Sequence, residues 1–82
     1  MIIRSAEELA LLVQNYRKKQ KSSQSDIGEL VGLKQSTISA FESKPKATKL
    51  DTLFRILSAV NLAIEVRPQN APGEKGSWPE EW

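Results

Sequence analysis

Between residues 24 and 46 lie the carboxamides of Gln24 and Gln35, the hydroxyls of Ser36, Thr37 and Ser39 and the ammonium groups of Lys34, Lys44 and Lys46. The hydroxyls invite a catalytic reading, but a serine or threonine nucleophile needs a neighbouring base or metal. The 82 residues include no histidine and no cysteine, which removes the commonest general base, thiol nucleophiles, disulfides and the usual zinc sites. No paired acidic cluster shares a face either, so no enzyme activity and no cofactor are expected. What remains is hydrogen bonding and charge. A carboxamide donates and accepts together, and can engage N6 and N7 of adenine in a bidentate pair worth about 1–3 kcal/mol of discrimination. Lysine ammonium groups offer charge to phosphate oxygens.

Helical phase says which of these groups share a surface. If Ile38 and Phe41 point inward, a turn of about 100° per residue puts Ser36, Ser39 and Ala40 on the opposite side, with Gln35 adjacent and Thr37 and Glu42 on the flanks. That outer face is small and hydrogen-bonding, so it can approach a groove closely. Gln35 is the first candidate for reading a base. Lys34, just before the helix, is placed for a guanine edge or a phosphate. Gln24 opens the preceding helix, where free backbone N–H groups favour an anion, and is assigned to phosphate. Lys44, Lys46 and Lys49 follow on a loop that either passes beside the nucleic-acid backbone or is simply solvated.

The elements that must hold these groups are legible on either side. Ser23 with Asp26 three residues on forms a reciprocal cap that starts a helix. Ile27, Leu30 and Val31 follow at helical spacing, and Gly32 supplies the left-handed residue that closes it. Leu33, Ile38 and Phe41 restart the pattern. Helix, glycine turn and helix make a helix-turn-helix, whose second helix enters the DNA major groove. The run Gln24, Leu30, Gly32, Leu33, Thr37-Ile38-Ser39 and Glu42 resembles the lambda-repressor-like (Xre) family of DNA-binding domains, over roughly residues 9 to 62. Gly28 departs from it, standing where the family mostly has alanine; it keeps a close helix approach but lowers helix propensity by about 1 kcal/mol. The resemblance also implies a structural ion pair between Arg17 and Glu42.

Ser5 with Glu8 reads as a second capping box, and Leu9, Leu12, Val13 and Tyr16 mark a helix from about residue 6 to 20. Its last turns carry Arg17, Lys18, Lys19 and Lys21, which suit the negative end of the helix dipole or, alternatively, phosphate contact. Residues 43–47 form a polar loop around Pro45. Thr48 with Asp51 reads as a third capping box, ahead of an amphipathic helix over 49–60 marked by Leu50, Leu53, Phe54, Leu57 and Val60 and closed near Asn61. Tyr16, Phe41 and Phe54 sit at core spacing and read as packing residues. The period then changes to two: Leu62, Ile64 and Val66 predict a strand stopped by Pro68, where the family usually continues with a fifth helix. A lone strand edge needs cover, either from the same strand of a second copy or from Met1 to Arg4; the homodimer is favoured, since a two-fold protein reads a palindrome. The expected fold is all-α: a four-helix helix-turn-helix domain over 1–67, with a C-terminal β-strand pairing across a homodimer and a flexible tail over 68–82.

Charge divides at the same place. Residues 1–67 carry 11 Lys and Arg against 7 Asp and Glu, and residues 68–82 one Lys against three Glu. A mildly basic domain suits nucleic acid without requiring it. The tail has three of the four prolines and no apolar period, yet holds both tryptophans, Trp78 and Trp82. Either they fold back over the domain or they dock in a partner's pocket, the use of tryptophan favoured here. No long apolar run or leader is evident, so a cytoplasmic protein without a membrane span is expected. The segment KQSTISAFE and the C-terminal EEW resemble HipB-type antitoxins. That resemblance implies a dimeric repressor of its own operon, with palindromic double-stranded operator DNA and a HipA-like serine/threonine kinase toxin as partners. A phage-type or metabolic repressor without a toxin, and an interaction module that has lost DNA binding, are the competing readings.

Overall fold

A computed structural model describes residues 2–68. Four α-helices follow in order, α1 (Ala6–Lys19), α2 (Gln24–Val31), α3 (Gln35–Ser43) and α4 (Leu50–Ala59), with a 3-10 turn at Pro45–Ala47 between the last two. Helix α2 packs against both α3 and α4, and α1 closes the other side of α3. The core lies where all four meet. Val13, Ile27, Ile38, Phe41, Ile56, Leu57 and Val60 are buried there with Ala10 and Ala59. Each large side chain so buried contributes about 1.5–3 kcal/mol.

Local chemistry starts and stops these helices. The Ser23 hydroxyl accepts from the Asp26 N–H at 3.0 Å and the Asp26 carboxylate from the Ser23 N–H at 2.9 Å, so the capping box forms as the sequence predicts. Those bonds from Ser23, backbone first, hold the Asp26 carboxyl below its ordinary range. At α1 only half of the box forms: Ser5 Oγ accepts from Glu8 N–H, but the Glu8 carboxylate reaches the N–H of Arg4 instead. The Thr48–Asp51 box does not form. The Thr48 N–H is spent on the Pro45 carbonyl at the end of the 3-10 turn, and α4 begins one residue later from Lys49 with no side-chain cap.

Three helices end on left-handed residues, Lys21 (φ 59°), Gly32 (φ 71°) and Asn61 (φ 62°). In each, the next N–H turns back to a carbonyl of the last turn: Ser22 to Arg17, Leu33 to Gly28, Leu62 to Leu57. This closure satisfies carbonyls that the helix itself leaves unpaired. The turn after α2 is also tight from below. A Cβ on buried Gly28 would stand well inside van der Waals contact of the Leu33 carbonyl oxygen, so this chain's α2–α3 turn leaves no room for the alanine usual in similar sequences. The Arg55 guanidinium of α4 donates to the Val31 carbonyl at 2.7 Å and ties the same turn to the core.

Several expectations change in three dimensions. Phe41 is a core residue, but Phe54 is 53% exposed and Tyr16 39%. Both lie on the outer margin of stripes whose centres are taken by smaller residues: Ile56 and Ala59 face inward from α4, Ala10 and Arg17 from α1. Leu30 and Leu50 likewise face outward. Residues 62–68 carry no strand within this chain and make no ladder with residues 2–4. Arg67 and Glu65, two apart, nonetheless pair at 3.0 Å, a spacing that does not bring side chains together on a helix. Met1 and the tail from residue 69, with Trp78 and Trp82, lie outside the described residues.

Candidate nucleic-acid interface

Helix α3 presents the surface that its phase requires. Ile38 and Phe41 are buried, Gln35, Ser36 and Ala40 are exposed, and Thr37 and Ser39 are half-buried at the edges. The Ser39 carbonyl accepts from Ser43 Oγ at 2.9 Å, which keeps the hydroxyl of Ser43 on its own helix. Lys34 is the exposed N-cap of α3, and Lys44 and Lys46 are exposed around its C-terminal end and the 3-10 turn. Lys46 stands 3.7 Å from Glu7 of α1, a solvent-exposed pair of little energetic weight.

Glu42 departs from its expected place on the flank. Its side chain is only 4% exposed and accepts four hydrogen bonds. Arg17 Nε donates to Oε2 at 2.7 Å and Arg17 Nη2 to Oε1 at 3.0 Å. Gln24 Nε2 at 2.9 Å and Gln14 Nε2 at 3.3 Å complete the set on Oε1. The fork of two parallel bonds is the strong form of an arginine–carboxylate pair, and the remaining guanidinium nitrogen donates to the Ser22 carbonyl at 3.0 Å. Burial pushes the Glu42 carboxyl up, but the donors from Arg17, Gln24 and Gln14 outweigh it and hold the group below its ordinary value. Its bond to Glu42 keeps Arg17 firmly cationic.

The network continues outward. Gln35 Nε2 donates to Gln24 Oε1, so the first side chains of α2 and α3 are joined. The structure thus brings Gln24 and Gln35 together, with Lys34 beside them in sequence. Gln24, read from sequence as a free phosphate ligand, has its amide engaged on both sides. The Arg17–Glu42 pair is present as the resemblance implied. Gln14 was not foreseen, although its place three residues before Arg17 puts both on one face of α1. No sequence signal marks Arg55, whose partner Val31 is distant in the chain. Among the described residues, no group of His, Cys, Asp and Glu could hold a metal ion, and no helix is long and apolar enough to cross a membrane.

A short helix followed by a tight turn and a second helix with a polar outer edge, braced by a buried ion pair, defines a helix-turn-helix protein. Residues 13–66 match the helix-turn-helix family model, and the chain belongs to that family. Among individual proteins it is similar to Antitoxin HipB of Escherichia coli K12, with 37% identity over 62 residues that span 76% of this chain and 70% of the relative. Antitoxin HipB of Escherichia coli O6:H1 gives the same identity, with 66% of its length spanned. Solved structures agree. A chain of a HipB–O4 20mer complex superposes with a TM-score of 0.80 at 34% identity, covering 83% of this chain and 96% of the other. A chain of a HipA–HipB–O2–O3 complex gives 0.81 with the same identity and coverage.

Proposed function

We propose that this protein is an antitoxin: a DNA-binding repressor that regulates its own toxin–antitoxin operon and binds a HipA-like serine/threonine kinase toxin. The observation that carries the reading is α3 itself, whose exposed edge begins with a glutamine anchored through Gln24 to the buried Glu42, in a chain of the helix-turn-helix family similar to HipB. Gln35 reads a base edge, while Ser36, Thr37 and Ser39 line the groove beside it. Lys34, Lys44 and Lys46 neutralise phosphates, and Gln24 offers its remaining amide N–H to the backbone near Gln35. The protein has no catalytic role of its own, and operator binding places it in the cytoplasm.

Two copies are needed for a palindrome. Leu62, Ile64 and Val66 pair antiparallel with the same residues of a second copy; the exposure of Ile64 (45%) and Val66 (70%) in the single chain supports this. Trp78 and Trp82 of the tail over 68–82 dock in the kinase, where a buried indole is worth about 2 kcal/mol or more.

Binding by the full-length protein tests the DNA reading. Gln35→Ala is expected to cost about 1–3 kcal/mol on the cognate palindrome and much less on random duplex. Lys44→Ala weakens both targets alike and lowers the salt slope by about one. If Gln35→Ala is neutral on every sequence, the groove assignment fails. Calorimetric titration with the neighbouring operon product tests the partner. Removal of Pro79 to Trp82 is expected to weaken kinase capture and spare operator binding, whereas equal affinity removes the tail from the interface.

A further inference from the structure

Lys46 differs from the other lysines of the proposed interface. Among the described residues neither Lys34 nor Lys44 has an acidic partner, whereas the Lys46 ammonium lies 3.7 Å from Glu7 Oε2. Tertiary structure makes this meeting. Pro45 opens the 3-10 turn with a fixed φ, the Ala47 and Thr48 N–H groups bond back to the Lys44 and Pro45 carbonyls, and α1 packs against the turn. Glu7 stands in the first turn of α1, where the positive end of the helix dipole favours its charge. At 3.7 Å the pair is held by charge and not by a direct hydrogen bond, so the three ammonium donors of Lys46 remain open to another anion.

We propose that Glu7 is a built-in competitor of DNA: it accompanies Lys46 in the free protein and opposes the phosphate that Lys46 neutralises in the complex, which lowers affinity for every duplex and flattens its salt dependence. The inference rests on the assignment of Lys46 to phosphate above. A lysine that reaches a phosphate unaccompanied releases about 0.9 of a condensed cation. Lys46 arrives with a carboxylate beside it. Glu7 must then either stay near the phosphate against like-charge repulsion, or separate and collect a cation from solution, and both courses offset that release. The two side chains are 81% and 57% exposed, which bounds the effect. An exposed pair carries a weight of roughly two- to fivefold in an equilibrium constant. Because phosphates hold no sequence information, the competition acts on cognate and random duplex alike.

The test uses full-length wild type, Glu7→Gln, Lys46→Gln and the double variant. Each is titrated, from about 0.05 to 0.5 M salt, with a duplex that the wild type enriches from a random-sequence library and with random duplex. At the lowest salt Glu7→Gln is expected to bind both duplexes roughly two- to fivefold more tightly per bound copy. The advantage fades as salt rises, so the salt slope steepens by up to about one per copy. Lys46→Gln weakens both duplexes and makes the slope shallower. In the Lys46→Gln background most of the gain from Glu7→Gln is expected to vanish, because no lysine is left to release. The full gain in that background assigns the effect to general charge repulsion and overturns the competition, as does a Glu7→Gln variant that binds like wild type or tightens on the enriched duplex alone. If Lys46→Gln changes neither affinity nor slope, Lys46 lies off the phosphates and the competition falls with that assignment. Gln35→Ala on the enriched duplex then reports separately on the groove reading.

Discussion

Glu42→Gln changes neither volume nor shape, so its cost isolates charge and hydrogen-bonding sense. Glu42 receives three donors on Oε1 and one, Arg17 Nε, on Oε2. The amide of the variant minimises conflict by placing its nitrogen at Oε2, against that single donor. One charge-assisted bond, worth about 1.5–3 kcal/mol, is then lost outright. The three bonds to the remaining oxygen become neutral-acceptor bonds, roughly half as strong. Arg17, 9% exposed, is left without its counter-charge. The expected loss is about 3 kcal/mol, the lower end of the range for breaking a buried pair. This is roughly a 150-fold change in the folding equilibrium, or a drop of about 12–24 °C in Tm for a domain of this size. Urea unfolding followed by far-ultraviolet circular dichroism reads it directly. The effect also depends on pH. Because the folded carboxyl lies below its ordinary value of 4.5, its contribution is fully present above that value and is lost as pH falls through the folded pKa. The gap between wild type and variant is therefore expected to close in the acid range. A loss under about 1 kcal/mol at neutral pH, or a gap unchanged down to about pH 3, would refute the account of Glu42 as the charged centre of the network.

Gly28→Ala gains about 1 kcal/mol of helix propensity but forces the Leu33 carbonyl outward, and overpacking of this kind costs about 1–3 kcal/mol. A net loss of stability is expected, with weaker operator binding as α3 shifts; a higher Tm in calorimetry contradicts the close approach. Lys21→Gly relieves a side chain held at φ 59° and is expected to raise stability by about 0.5–1 kcal/mol with operator affinity unchanged. A drop in the urea midpoint would show that the lysine contributes something beyond its strained backbone. Ile64→Pro removes a donor from the proposed ribbon between copies and is expected to shift sedimentation toward the monomer and weaken operator binding together. Wild-type values for both exclude that ribbon.

The helix-turn-helix was legible because its determinants are local. The Ser23–Asp26 cap, the left-handed positions Gly32 and Asn61 and the inward phase of Ile38 and Phe41 each depend on residues within a turn or two, and all are found in the structure. Reading failed where two local solutions compete: Thr48 is a good N-cap, but the 3-10 turn claims its N–H first. It failed again where a stripe has more apolar residues than a small core can take. Leu50 and Phe54 match the period of α4, yet the neighbours of α4 fully bury only Ile56, Leu57, Ala59 and Val60 and cover Leu53 in part. The alternation of Leu62, Ile64 and Val66 is written in the sequence, whereas a strand needs a partner edge that a single copy does not supply. The recognition face shows the same division. Composition and phase determined that Gln35 and its hydroxyl neighbours lie on the outer side of α3. The resemblance implied the Arg17–Glu42 pair, but only the packing of α1, α2 and α3 decided that Gln14 and Gln24 join it on Glu42, because a buried carboxylate must collect donors from whichever helices surround it, and no local pattern encodes that meeting.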